Sequence, residues 1–408
     1  MQKIAVVIPK YGLVGGAEQF ASELTGRLAD QSGYDFHVLA NRWQAGTTNI
    51  KFHKIPIITF PKYLTTLSFA YFTQRQLNRN NFPLVHSHER IFGADIFTLH
   101  GIPHRYWVHN IRRKRMSLYD WATAWVEKKL VYEGNCQKFI AVSNLTRDIF
   151  LQEYNIDPQR VAVIHPGVDL NDYATADKKL IRADIRKEYG FSSEETIILF
   201  ASMNFEIKGL DAIILSLAKL KAKQHRFKLL VAGKGNIRKY TQMAREANIA
   251  EDVVFTGMLS KEKLVRLYLA GDMYVMLSKF DTFGMVVLEA MAAGLPVIIS
   301  SNVGAKDIVQ EGENGFIISD TSDANCVASK IALLLNETTR NSMVQSAYYT
   351  AMQNTWDHVA LKYRRIYENI LDELAKSPRA VIPAKAGIYN MLQSLDSRLR
   401  GNDKKGLN

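Results

Sequence analysis

Two cysteines, Cys136 and Cys326, are all that 408 residues contain, and they lie far apart in the chain. A disulfide framework and a cysteine-rich zinc site are thereby excluded, and a reduced cytoplasmic compartment is the simplest reading. No run reaches 18 consecutive apolar residues, so no transmembrane helix is expected. The opening MQKIAVVIPK stops its apolar run at Pro9, too short for a signal peptide and suited to a buried first strand. A G-x-G-x-x-G fingerprint is also absent: residues 11–20 read YGLVGGAEQF, and Asp35 precedes its strand, so a nicotinamide enzyme is disfavoured. The His86-Ser87-His88 spacing invites a metal, but no Cys or carboxylate trio completes a ligand set, and residues two apart simply share one face of a strand. No metal is expected.

What is present is an ordinary globular balance, 47% hydrophobic and 23% charged, long enough for two domains. Short apolar runs closed by Gly, Pro or Ser alternate with helical stretches, which predicts an α/β protein with mostly parallel sheets. Strands are expected at 4–8, 36–40, 84–86, 96–99 and 139–142, then over 161–169. A second set is expected at 196–200, 227–231, 253–255, 272–277 and 295–299. The domain break falls near Pro166-Gly167. Ligands of such doubly wound sheets gather beyond the carboxyl ends of the strands.

The richest segment is 275–300, VMLSKFDTFGMVVLEAMAAGLPVIIS. It sets Asp281 and Glu289 eight residues apart around a Phe283-Gly284 turn that opens an apolar helix, ended by Gly294 and Pro296. A buried ionised Glu289 costs several kcal/mol, roughly, unless hydrogen bonds or a partner charge answer it. The first backbone N–H groups after Gly284 suit a phosphate. This spacing predicts a sugar contact at Asp281, phosphates over Gly284, Met285 and Val286 with Phe283 as a further donor contact, and a ribose at Glu289. For an isolated pair of this kind a structural cap at Asp281 and a buried ion pair at Glu289 are the better explanation.

DTFGMVVLEAMAAGLPV resembles the E-x7-E signature of retaining family-4 (group 1) glycosyltransferases over some seventeen positions, with Asp281 where that family usually has Glu. The resemblance implies the GT-B fold: two Rossmann-like doubly wound domains facing a cleft, with a C-terminal helix crossing back to the first. It divides the chain into an acceptor domain at 1–168, a nucleotide-sugar donor domain at 169–350, a returning helix at 351–377 and an appended tail at 378–408. VAVIHPGVD, residues 161–169, resembles the family's hinge. Lys208-Gly209 match the K-G of G-R-x-x-x-x-K-G, so Lys208 would stabilise charge developing on the donor phosphate. Met203 stands at the usual Arg, leaving Asn204, Arg238 or a residue of the first domain to substitute. Gly15 and Gly16 match a G-G-A-E loop over the donor phosphates, and Gly233 and Gly257 follow donor-domain strands near the base and sugar. His100 resembles the family's T-x-H-G histidine and would orient the sugar, with His88, Glu89 and Asp95 as further acceptor contacts. Without a D-x-D, transfer is expected to need neither metal nor other cofactor.

Charge suggests the acceptor. Of a net +12, residues 101–130 carry seven basic against two acidic residues, interleaved with Tyr106, Trp107, Tyr119, Trp121 and Trp125. Trp and Tyr favour the membrane interface and Arg and Lys its anionic headgroups. The stretch 105–129 is therefore expected to contact an anionic membrane surface and an envelope glycolipid such as lipopolysaccharide core, on the cytoplasmic face; nucleic acid is not expected. The lipopolysaccharide core glucosyltransferase group, often using UDP-sugars, is the subgroup most resembled. A sugar-nucleotide 2-epimerase and a silent nucleotide-sugar-binding protein are the competing readings. The segment after Pro378 resembles a peptide found where bacterial genes read into a dispersed repeat, and no catalytic role is expected for it.

Overall fold

The computed structural model describes residues 1–13, 15–31, 33–44, 50–174 and 177–376; the tail at 378–408 lies outside them. The chain forms two compact units. The first comprises Met1–Ala141, Asp148–Ala162 and the chain from Ala360, and the second Val142–Arg147 and Val163–Val359.

The first unit holds a seven-stranded sheet in the order Ile50–Lys54, Asp35–Ala40, Lys3–Val7, Leu84–Ser87, Ile96–Leu99, Lys138–Ala141, Val161–Val163. The second holds six strands in the order Val253–Gly257, Phe227–Gly233, Thr196–Ser202, Met273–Met276, Val297–Ser300, Gly315–Ile318. The central pairs are parallel. Runs such as KIAVV and TIILFAS are buried almost throughout, as strands covered by helices on both faces must be. Each sheet is a Rossmann-like doubly wound sheet. Its order reverses beside its first strand: Lys3–Val7 lies between Asp35–Ala40 and Leu84–Ser87, and Thr196–Ser202 between Phe227–Gly233 and Met273–Met276. The loops leaving two adjacent strands at such a reversal diverge and leave a crevice.

Two edge strands, Ile50–Lys54 and Gly315–Ile318, were not expected from the sequence. IKFHK has only two apolar residues among its five, and GFII is a four-residue run opened by glycine, so neither stands out as a strand. The returning helix expected at 351–377 starts only at Trp356, as Trp356–Lys376, after a separate helix Glu337–Gln353. Residues 354–356 instead pair with Val168, whose N–H donates to Asn354 O at 3.0 Å and whose carbonyl accepts from Trp356 N at 3.3 Å. Thr355 Oγ1 then accepts the His358 N–H and opens the new helix.

From Ala360 that last helix belongs to the first unit, where its tyrosines reach under the sheet. Tyr367 Oη lies 2.6 Å from His86 Nδ1, Thr98 Oγ1 lies 2.8 Å from His86 Nε2, and Tyr363 Oη lies 2.9 Å from Thr98 Oγ1. All four side chains are buried, so each polar atom needs its partner. Both nitrogens of His86 are thus spent on hydroxyls, which is the structural role of the first histidine of VHSH. Tyr367→Phe orphans His86 Nδ1 and is expected to lower stability by about 1–3 kcal/mol, read as a lower urea midpoint.

Candidate active site

In the second unit the loops at the sheet's reversal bring the two strongest candidates into contact. Strand Thr196–Ser202 ends in a turn that Asn204 organises: its N–H reaches Ser202 Oγ at 2.8 Å, its Oδ1 accepts from Ile207 N at 3.0 Å and its carbonyl from Lys208 N at 3.1 Å. Gly209, at φ +75°, then runs so close to the neighbouring loop that a Cβ would stand 2.1 Å from the Leu277 carbonyl oxygen. Only glycine permits both the backbone conformation and that approach. Two more bonds tie the loops, Lys279 N to Ile207 O at 2.8 Å and Ser278 Oγ to Ile207 O at 3.1 Å. Lys208 Nζ consequently meets Asp281, donating to its Oδ2.

Asp281 is pinned from three sides. Its N–H donates to Asn302 O at 3.0 Å, its carbonyl accepts from Gly304 N at 3.0 Å, and its Oδ1 accepts from Phe283 N at 3.2 Å. The last bond bears on the donor contact expected at Phe283, because the Phe283 N–H serves Asp281 and is not free for a ligand. The Phe283 ring is buried and stacks on His165 with centroids 5.6 Å apart. Gly284, at φ +90°, is the N-cap of helix Met285–Ala292 and supplies no side-chain cap. The Val287 N–H turns back to Gly284 O at 2.9 Å. Gly284, Met285 and Val286 therefore stand at a helix N-terminus where anions are favoured.

Glu289 makes no ion pair among the described residues. Its Oε2 accepts from the Tyr268 hydroxyl at 3.0 Å. Burial pushes its carboxyl above the ordinary value of 4.5, and the Tyr268 bond offsets this in part. Gly233 pairs with Ser202 in the strand register, and Gly257 with Ala232, so both lie along the same carboxyl edge. Met203 is 54% exposed, and Asn204 is committed to its turn.

Sequence reasoning missed the clamp beneath this loop. Thr282 O accepts from Ser143 Oγ at 2.6 Å and Thr146 Oγ1 at 3.3 Å, and Asp307 Oδ2 accepts from Asn144 N at 2.6 Å and contacts His165 Nε2 at 3.2 Å. Ser143-x-x-Thr146 reads in sequence only as a helix start.

In the first unit, Gly15 has φ +150° and Gly16 begins helix Gly16–Gln31, with the Glu18 carboxylate folded over Gly15. His100 follows strand Ile96–Leu99. Its Nε2 lies 2.8 Å from His88 Nδ1, and it lines a cavity of about 180 Å³ together with Ala17, Glu89, Arg90 and Gly101. Burial pushes His86 and His100 down to about 3 and His88 well below its ordinary value, so all three are neutral. Arg90 is spent on Glu127, which also accepts from Tyr154 Oη at 2.6 Å and His104 N at 3.0 Å. Asp95, expected to contact an acceptor, is buried and accepts from Val85 N at 2.6 Å; it serves the sheet.

The chain matches two family descriptions, Glycosyltransferase Family 4 over residues 14–172 and Glycosyl transferases group 1 over residues 181–350. It is similar to an uncharacterized glycosyltransferase of Methanocaldococcus jannaschii, 24% identical over 92% of this chain and 100% of the relative. It is 30% identical to a D-inositol 3-phosphate glycosyltransferase of Mycobacterium sp., over 54% of this chain and only half of that protein. Among solved structures it resembles WaaG, a glycosyltransferase involved in lipopolysaccharide biosynthesis, with TM-score 0.74 and 18% identity over 89% of this chain and 99% of that one. The sucrose-phosphate synthase of Thermosynechococcus elongatus also gives 0.74, at 19% identity over 91% and 100%. Anabaena HepE in complex with UDP-glucose gives 0.68, at 17% identity over 90% and 100%.

The raised Glu289 carboxyl has a consequence for stability. The folded state holds that proton more tightly than the unfolded chain, so the wild type loses stability as pH rises past 4.5 towards the raised folded value. Glu289→Gln cannot ionise. It is expected to melt higher than the wild type at neutral pH, with the gap closing as the pH falls below that window.

Proposed function

The chain belongs to the family-4, group 1 glycosyltransferases of GT-B fold, and from that premise we propose that it moves a hexose from a nucleoside diphosphate sugar, such as a UDP-sugar, to an envelope glycan, with retention of anomeric configuration. The observation that carries this reading is the meeting of Lys208 and Asp281 at the sheet's reversal, one turn before the helix N-terminus at Gly284. An ammonium and the N–H groups of 284–286 answer a diphosphate, and a carboxylate beside them answers sugar hydroxyls.

In the proposed reaction the diphosphate lies over Gly284, Met285 and Val286 with Lys208 as its cation, which stabilises negative charge as the bond to the anomeric carbon breaks. The bond between that carbon and the phosphate oxygen breaks with its electron pair going to phosphate. The acceptor hydroxyl bonds to the same face, and its proton passes to the departing phosphate. No metal ion is needed. Asp281 exchanges its Lys208 contact for sugar hydroxyls, Glu289 accepts from the ribose, Gly233 and Gly257 allow close approach of the nucleotide, and His100 orients the sugar. Gly15 and Gly16, at the start of helix Gly16–Gln31, are assigned to donor binding as part of the same proposal.

The acceptor reading rests on the first unit's surface. Arg112, Arg113, Lys114 and Arg115 are exposed, just before a helix, Leu118–Glu133, that exposes Leu118 at 73% and Trp121 at 60%. Phe60 is 86% exposed, and Lys62 lies over the Tyr119 ring at 4.9 Å. Basic residues near an anionic surface contribute about 1 kcal/mol each, while the aromatics sit at the interface. No helix among the described residues is long and apolar enough to cross a membrane. A peripheral location on the cytoplasmic face of the membrane, with a lipopolysaccharide-type acceptor, follows as part of the proposal.

Incubation with labelled UDP-, GDP- and ADP-sugars is expected to give transfer or slow hydrolysis of one donor. An epimerised donor, or binding without turnover, would overturn the reading. In the active pairing Asp281→Ala is expected to lower kcat by at least about tenfold, while Glu289→Ala weakens nucleotide binding; unchanged kinetics in both would remove the site assignment. Neutralising Arg112, Arg113, Lys114 and Arg115 together is expected to abolish co-sedimentation with anionic liposomes, and equal partitioning of variant and wild type would refute the membrane contact.

A further inference from the structure

His88 stands between two histidines, and its hydrogen-bonding capacity is divided unequally. Its Nδ1 lies 2.8 Å from His100 Nε2. The two rings are within 20° of coplanar with centroids 5.1 Å apart, so they meet edge to edge along that bond. Its Nε2 is buried and has no hydrogen-bond partner among the described residues. The ring packs against His86 at 4.1 Å and against Phe20 at 6.0 Å.

A neutral imidazole carries one proton on one of its two nitrogens, and the partner of one nitrogen decides the state of the other. Were the proton of His88 on Nε2, it would be a buried N–H with no acceptor, which folded proteins avoid more strictly than an unfilled acceptor. The proton therefore sits on Nδ1 and points at His100 Nε2. That nitrogen must then accept, which puts the proton of His100 on its own Nδ1. His100 Nδ1 has no partner among the described residues and belongs to a side chain lining the first unit's cavity. Burial keeps both rings neutral, so no second proton blurs the assignment.

We propose that His88 is a positioning residue that locks His100 as the Nδ1–H tautomer, so that His100 offers its cavity a hydrogen-bond donor and not a base. The inference rests on the transferase role of His100 proposed above and deepens it. A donor at that atom suits a sugar or acceptor hydroxyl oxygen, or an oxygen gaining negative charge, and takes no proton from the attacking hydroxyl. The departing phosphate is left as the group that does.

The tautomer is read directly from the imidazole nitrogen resonances of uniformly ¹⁵N-labelled full-length protein, with His100→Gln used for assignment. His100 protonated at Nδ1 and bare at Nε2 is expected; protonation at Nε2 overturns the proposal. His88→Asn keeps an amide donor where Nδ1 was and is expected to preserve the tautomer, with turnover within about threefold of wild type. His88→Phe removes the donor while keeping a ring in place. There His100 is expected to shift its proton to Nε2, and kcat to fall at least about tenfold at unchanged donor KM. Wild-type turnover in a folded His88→Phe protein overturns the positioning role. Because the spectrum needs no substrate, a protein that shows the Nδ1–H tautomer yet transfers no hexose refutes the proposed function and leaves this assignment standing.

Discussion

The contact on which the second unit's candidate site depends is between backbones: Gly209 lying against the Leu277 carbonyl. Parallel strands that part at a sheet reversal leave their loops free to diverge. Here the loops are tied together by that approach and by the two bonds to Ile207 O. Lys208 precedes the glycine by one residue and Asp281 follows Leu277 by four, so closing the loops brings opposite charges together. A side chain at 209 would separate the loops before any charge was altered.

The same economy of partners explains why the candidate groups are so rigid. Asp281 answers a lysine, a turn N–H and a neighbouring loop. Thr282 is clamped through its carbonyl and Phe283 through its ring. Met285 and Val286 then begin a helix whose position is set before any ligand arrives, which is the preorganisation that stabilisation of developing charge requires. Glu289 is the exception. It has one tyrosine hydroxyl and a burial cost, and that imbalance suits a group that gains partners from a bound polyol.

The first unit solves the opposite problem, of holding several histidines with no charge among them. Tyr367 of the last helix and Thr98 of strand Ile96–Leu99 take the two nitrogens of His86, and His100 takes one of His88. Burial does the rest by disfavouring imidazolium. The histidines here are neutral and hydrogen-bonded, His86 to two hydroxyls and His88 to His100, which lines the cavity.

The sequence by itself determined the two-sheet α/β architecture, because buried parallel strands are written as continuous apolar runs closed by Gly and Pro, and this pattern is local. It also singled out Asp281, Gly284 and Lys208-Gly209, each at a strand end or helix start marked by residue type, and Glu289 inside the helix that follows. The break at 354–356 was not legible, because it comes from pairing with Val168, nearly two hundred residues away. Nor were the edge strands, whose partners and not their own periodicity make them strands. Only the tertiary structure decided that Lys208 meets Asp281, that Phe283 spends its N–H and its ring inward, that Asp95 serves the sheet, and which nitrogen of His88 is left alone. Each of these depends on distances between segments far apart in the chain, which residue spacing does not encode.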